Sequence, residues 1–310
     1  MIRIARWGAV AAGLAVLTAC GNPGFTGSEA ARQYLAPAMH APLPHRPASY
    51  LGTYEPGVPR SYRPVEHFTA AVGHAPNLVL YYSAWGKPFD TSFADRALVH
   101  GAVPLVQIDP GTTSLRAIAA GRFDSYLRSY ASRVRAFGRP VVIGFAREMN
   151  GSWYRWSIKH VPARIWIAAW RHIFEVFRQQ GADNVTWQWT INSLSRGIGP
   201  PRAWWPGDRY VTWVGIDGYY YNIDSNFENV FGRTITAVRR FTGKPILISE
   251  VGMAPQSEPV AQMPALFTGI RQRRLLGLVW FDARALRDWR LENNPAAFRA
   301  FRQQVTRMYS

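Results

Sequence analysis

Residues 122–148 read RFDSYLRSYASRVRAFGRPVVIGFARE, and the two parts of this stretch obey different periodicities. Phe123, Tyr126, Leu127, Tyr130, Val134 and Phe137 recur at helical steps and form one apolar stripe, which predicts a helix over about 122–137. Gly138 follows at once, the residue best suited to the left-handed turn that ends a helix. Val141–Phe145 is then a continuous apolar run, too short for a helix and consistent with a strand buried on both faces. Glu148 stands just beyond it. A carboxylate directly after a buried strand is costly unless it is solvated, paired or put to use.

Outward from this unit the same alternation recurs. Strands are expected near Leu51–Tyr54, Leu78–Tyr82, Val103–Ile108, Val141–Phe145, Val185–Trp189, Trp213–Asp217, Pro245–Ile248 and Gly277–Phe281. Ile165, Trp166, Ala169, Trp170, Ile173, Phe174 and Phe177 form a second helical stripe before Gly181, and Phe298, Phe301, Val305 and Met308 form a last one. Short apolar strands separated by amphipathic helices over about 260 residues predict an α/β protein with a single (β/α)8 (TIM) barrel. A doubly wound sheet is the rival architecture, but no Gly-rich phosphate loop follows an early strand.

The chain starts with Arg3 and Arg6, an apolar run from Trp7 to Ala19, and then Cys20, its only cysteine. The run has the length of a signal peptide and is too short for a stable membrane span. Leu17-Thr18-Ala19-Cys20 resembles a bacterial lipobox, which implies a lipoprotein signal peptide over 1–19, lipidation of Cys20, export, and anchoring to the bacterial cell membrane, facing outward or into the periplasm. An ordinary signal peptide cleaved nearby is the alternative. Residues 20–48 carry five prolines without apolar periodicity and read as a tether, leaving 49–310 for the barrel domain. With one cysteine no intrachain disulfide forms. The net charge of +17 comes from 33 Arg and 3 Lys scattered along the chain, which argues against a nucleic-acid-binding tract. A basic surface suits anionic lipids, wall polymers or acidic glycans, and a compositional bias toward Arg and Ala would also produce it. A monomer is expected.

The functional face of such a barrel lies at the C-terminal ends of its strands. Glu148 and Glu250, each following an apolar run, are there the candidates for catalysis, because glycosidic cleavage needs one carboxyl to protonate the leaving oxygen and another to attack or activate water. Pairing of each Glu with a rim arginine is the bland alternative. Asn150, Trp153, Tyr154, Trp156, Trp187, Trp189, Asn192, Tyr219, Tyr220, Tyr221 and Trp280 lie at predicted strand ends, where aromatic faces stack on sugars and amides bind hydroxyls. Asp109, Asp217 and Asp282 could bind hydroxyls, cap or pair. No metal-ligand spacing and no nucleophile elbow is present, and neither a metal nor a cofactor is expected.

AREMNGSWYRW (146–156), followed by GKPILISEVG (243–252), resembles glycoside hydrolase family 26, the retaining β-mannanase family of the Glu-Glu (β/α)8 clan. YLGTYEPGVP (50–59), YSAWGKPF (82–89), GAVPLVQIDP (101–110), WWPGDRYVTWVGIDGYYYN (204–222) and DWRLENNPAAFRAFR (288–302) extend the likeness over nearly the whole domain. The resemblance implies Glu148 as acid/base and Glu250 as nucleophile, Tyr219 against the nucleophile, Trp280 on the sugar floor, and Trp153, Tyr154 and Trp156 along the flanking subsites. It implies a polysaccharide substrate, β-1,4-mannan first, with β-glucan, β-xylan or an acidic glycan as alternatives. A non-catalytic glycan-binding or wall-associated lipoprotein on the same barrel is the rival from another class. Two departures stand out: Arg147 occupies the place of the family's usual His before the acid/base, and Gly144 stands where Arg is frequent. Arg147 would lower the pKa of a neighbouring Glu148, unless it points away or reads an acidic sugar.

Overall fold

The computed structural model describes residues 41–195 and 197–309. Cys20, the apolar run before it and most of the proposed tether lie outside the described residues. Eight parallel strands close a barrel in sequence order. They are β1 (Tyr50–Tyr54), β2 (Leu78–Ala84), β3 (Val103–Asp109), β4 (Val141–Phe145), β5 (Val185–Asn192), β6 (Trp213–Tyr220), β7 (Ile246–Met253) and β8 (Gly277–Phe281). The principal helices packed outside are α1 (Arg63–Val72), α2 (Thr91–Val99), α3 (Leu115–Ala119), α4 (Asp124–Phe137), α5 (Ala163–Gln179), α6 (Arg233–Arg239), α7 (Pro259–Gln272) and α8 (Pro295–Tyr309). The expected (β/α)8 fold is present, and each predicted strand overlaps an observed one.

Local chemistry sets the boundaries. Gly138 caps α4 at φ 66°, and its N–H returns to the Arg135 carbonyl. Closure between β1 and β8 brings Gly277 against Tyr50, at φ 148° and with the Tyr50 carbonyl oxygen only 1.8 Å from where a Cβ would stand, so only glycine fits.

The barrel interior is layered. At the N-terminal end Tyr50, Leu78, Leu80, Val103, Leu105, Val142, Trp213, Leu247 and Val279 form a dry plug. Leu43 completes it: the side chain is buried there and its N–H donates to Thr186 Oγ1 at 2.8 Å. The ordered domain therefore begins before residue 49, and part of the proline-rich stretch packs against the barrel floor. Above the plug the interior turns polar with Gln107, Gln188, Thr190, Ser249 and Asp217, all buried. The large apolar residues of the same strands, Trp187, Trp189, Ile216, Ile248 and Trp280, belong to the cluster shared with the helices.

Candidate active site

A row of polar residues crosses three adjacent strands at the C-terminal rim. In the ladder Asn192 of β5 pairs with Asp217 of β6, which pairs with Glu250 of β7. An irregularity of register at Ser249 inserts one extra residue between the Ile216–Ile248 and Asp217–Glu250 pairs. Strict alternation would turn Glu250 away from Ser249's side of the sheet, and the bulge brings both to the interior.

Glu148 reaches the same place from the loop after β4. Ala146 and Glu148 sit at φ 48° and 52°, left-handed conformations unfavourable for residues with a Cβ. The surroundings hold them there. The Ala146 N–H bonds the Ile108 carbonyl at 3.0 Å and the Glu148 N–H that of Thr190 at 2.9 Å. Indole N–H groups of Trp166 and Trp156 take the carbonyls of Ala146 and Arg147 at 3.1 and 2.8 Å. The Glu148 carboxyl accepts from Asn192 Nδ2 at 2.6 Å and from Trp153 Nε1 at 2.9 Å. Burial first, and Glu250 next, push Glu148 up to about 7, against the opposing pull of Arg147, Asn192 and Trp153.

Glu250 is also buried and has a different environment. Tyr82 and Tyr219 each donate a hydroxyl hydrogen bond to it, at 2.5 Å, one to each oxygen. Burial and then the Glu250 charge raise both phenols well above their ordinary value, so both remain protonated donors. Arg147 Nε lies 3.7 Å from Glu250 Oε1. Beneath them Asp217 is fully buried, accepts from Ser249 Oγ at 2.5 Å, and is pushed well above the usual carboxylate range by burial first and then by the neighbouring Glu250 and Glu148. The two glutamates thus occupy contrasting sites in one polar chamber: one shifted toward the neutral acid, the other ringed by donors and a guanidinium.

Residues 120–301, which include both glutamates, match glycosyl hydrolase family 26. The chain belongs to that family. Endoglucanase H of Acetivibrio thermocellus is 28% identical over 267 residues, 80% of this chain and 29% of that protein. The beta-1,3-xylanase TXYA of a Vibrio species is 28% identical over 148 residues, 47% of this chain and 30% of the relative. The chain therefore spans under a third of the length of these curated relatives. Among solved structures, the catalytic domain of the family 26 endo-beta-1,4-mannanase from Bacillus sp. JAMB-750 superposes with a TM-score of 0.65 at 16% identity, covering 84% of this chain and 86% of that one. The family 26 beta-mannanase of Bacteroides ovatus gives 0.61 at 16% identity, covering 90% and 93%. At these identities the structural likeness concerns the fold.

Several residues expected to contact sugar do not line this family 26 site. Trp280 is fully buried against Phe301 of α8, at 4.9 Å between rings, because the β8 alternation turns it outward. Its neighbour Phe281 stacks on Tyr54 at 4.8 Å and meets Tyr219 edge-on. Trp189 is likewise buried, between Trp205 and Phe241. Trp187 and Tyr220 are buried as well. Asn150 is fully buried and braces Asn192: its Oδ1 accepts from the Asn192 N–H at 2.9 Å and its Nδ2 donates to the Asn192 carbonyl at 2.8 Å. Trp156 is buried and stacks on Tyr154 at 4.3 Å, where it supports the Arg147 carbonyl.

Arg147 does not salt-bridge Glu148, nor does it offer a free fork to an acidic sugar. One Nη bonds Asp109, the other bonds the Tyr154 hydroxyl at 2.8 Å, and the guanidinium lies over Tyr82 at 4.2 Å. Trp153, 49% exposed, and Tyr221, 44% exposed, are the large aromatics left open to a ligand at this rim. Asp282 accepts the Leu291 N–H at 2.6 Å. Tyr82 escaped the sequence reading. It is the third of the alternating residues Leu78, Leu80 and Tyr82, the first two inside the barrel plug, and that alternation carries it to the rim.

Proposed function

We propose that the protein is a retaining glycoside hydrolase that cleaves internal bonds of a β-linked polysaccharide. In this reading Glu148 protonates the glycosidic oxygen while Glu250 attacks the anomeric carbon, and Glu148 then deprotonates the water that releases the glycosyl-enzyme. The observation that carries it is the division of environments between two buried glutamates. Burial and the Glu250 charge hold a proton on Glu148 near neutral pH, whereas Glu250 faces two phenol donors and Arg147. Tyr82, Tyr219 and Arg147 would orient the nucleophile and disperse charge as it leaves in the second step. Exposed Trp153 and Tyr221 on the rim favour stacking on a long chain over enclosure of a chain end.

β-1,4-Mannan is the first substrate to try, in keeping with the family and with the mannanases whose fold it shares. A β-glucan is the second, on the strength of the likeness to endoglucanase H over 80% of the chain. The test is release of reducing ends from mannan, β-glucan and β-xylan. Glu148→Gln and Glu250→Ala should each lower kcat by several orders of magnitude with circular dichroism unchanged. Glu250→Ala should form no covalent adduct with an activated 2-fluoroglycoside, and Glu148→Gln should form one and stall. In the wild type kcat/KM should fall as pH rises through about 7, as Glu148 loses its proton. No hydrolysis of any of these polymers by wild type would refute the proposal.

A further inference from the structure

A second concavity of about 380 Å³ opens between the loop after β3 and the loop after β4, on the same barrel face as Glu148. Arg116, Arg155 and His160 line it, and no Asp or Glu does. Both arginines are exposed. Neither makes an ion pair among the described residues, whereas Arg147 is consumed by Asp109, Tyr154 and Glu250. Thr112 and Thr113 contribute hydroxyls, and Val161, Pro162 and Ile165 an apolar side. The wall is continuous with the catalytic network: Trp156 lines the cavity, stacks on Tyr154 at 4.3 Å, and Tyr154 accepts from Arg147.

We infer that this cavity binds an acidic sugar unit, a uronosyl residue of the polysaccharide or of a branch on it. The inference rests on the proposed glycosidase reading and adds to it a basis for substrate choice. Two guanidinium groups without a protein carboxylate match the bidentate demand of a sugar carboxylate. Hydroxyls and an apolar side match the two faces of a pyranose ring, which a bare inorganic anion would leave unused. The volume lies at the small end of ligand sites, suited to a short sugar segment. Acid recognition, one of the alternatives the sequence offers for Arg147, moves in this reading to the neighbouring loops.

The experiment measures binding by calorimetry to the full chain carrying Glu250→Ala, so that the readout is independent of turnover. The probes are a glucuronate-substituted β-linked oligosaccharide, its carboxyl-reduced neutral form, and sodium sulfate. The acidic oligosaccharide should bind about tenfold or more tighter than the neutral one, the scale of one charge-assisted hydrogen bond, and the preference should shrink as salt rises. Arg116→Gln with Arg155→Gln should abolish the preference and leave kcat/KM on a neutral polymer unchanged. Arg299→Gln with Arg302→Gln on α8, an equal loss of charge, should leave the preference intact. Unchanged affinity in the Arg116/Arg155 variant, or sulfate displacing the oligosaccharide at equal concentration, would overturn the inference. An Arg116- and Arg155-dependent preference in a protein that hydrolyses nothing would refute the glycosidase reading alone. Hydrolysis with no acid preference would refute the cavity's role alone.

Discussion

Arg147 is next to Glu148 in sequence and next to Glu250 in space, because left-handed backbone on both sides of it, at Ala146 and Glu148, sends successive side chains in different directions. Its effect on Glu148 is a downward pull, of the sign the sequence leads one to expect, that burial outweighs. The same competition governs Glu55 at the end of β1, which is buried and accepts from Thr53 Oγ1 at 2.7 Å. Burial first, then Asp282, raises Glu55 from 4.5 to about 9. The folded state therefore holds a proton that the unfolded chain releases, and the stability this contributes is full below 4.5 and lost as pH rises through about 9. Glu55→Gln, which keeps the Thr53 bond without the charge, should raise Tm at pH 8 by about 3 °C, with the gain vanishing toward pH 5. Melting curves at the two pH values decide, and a gain independent of pH would mean that no such proton is held. Glu55 gave no signal in sequence because nothing in the chain around it reveals that Asp282 and the rim will enclose it, whereas Glu148 and Glu250 stood out as carboxylates set directly behind apolar runs.

Strands and helices were legible because period and length reported them: apolar runs read as strands, and the 122–137 stripe as the helix now seen at 124–137. The facing of side chains was less so. In VTWQWTIN the tryptophans alternate with Thr186, Gln188, Thr190 and Asn192, and this alternation already says that the Trp set and the polar set lie on opposite faces. In GLVWF every position beyond Gly277 is apolar, so alternation carries no sign and Trp280 could be placed outward only by its contact with α8. The bulge at Ser249 has no sequence signature either. Gly144 is explained at this scale: a Cβ there would lie 2.1 Å from Gln107 Oε1, so the buried Gln107 amide, which donates to Thr190 Oγ1 at 3.0 Å, would have to shift. The space that a larger residue on β4 would need is filled from β3. Gly144→Ala should cost about 1–3 kcal/mol of unfolding free energy by overpacking. The penalty should largely disappear in a Gln107→Ala background. A double-mutant cycle by urea denaturation measures this coupling, and equal costs in both backgrounds would refute the close approach as the reason for glycine.

On the scale of the whole molecule the barrel divides into a dry base that supports a polar rim, and the base is closed by chain that composition assigned to a tether. Proline-rich segments without periodicity read as unstructured because a single anchoring residue produces no pattern. Leu43 is such an anchor: it is 4% exposed, packs with Tyr50, Trp213 and the other plug residues, and ties its N–H to Thr186, while Tyr50 donates its hydroxyl to the Pro44 carbonyl at 2.7 Å. The plug lies beneath the Gln107, Gln188 and Thr190 layer, on which the rim residues rest, so loosening the base reaches the catalytic end only through the strands themselves. A chain beginning at residue 49, where composition places the domain boundary, should accordingly be less stable than one beginning at residue 41. Leu43→Ala in the longer chain should account for most of the difference, about 2–5 kcal/mol for removal of a buried leucine. Denaturation midpoints of the three proteins provide the test, with unchanged m-values expected because the barrel unfolds as before. The kcat of the surviving folded protein on its best polymer should change far less than its stability, since no plug residue touches the glutamates. Equal midpoints for the chains starting at 41 and 49 would show that the barrel closes its own base and that the Leu43 contact is dispensable.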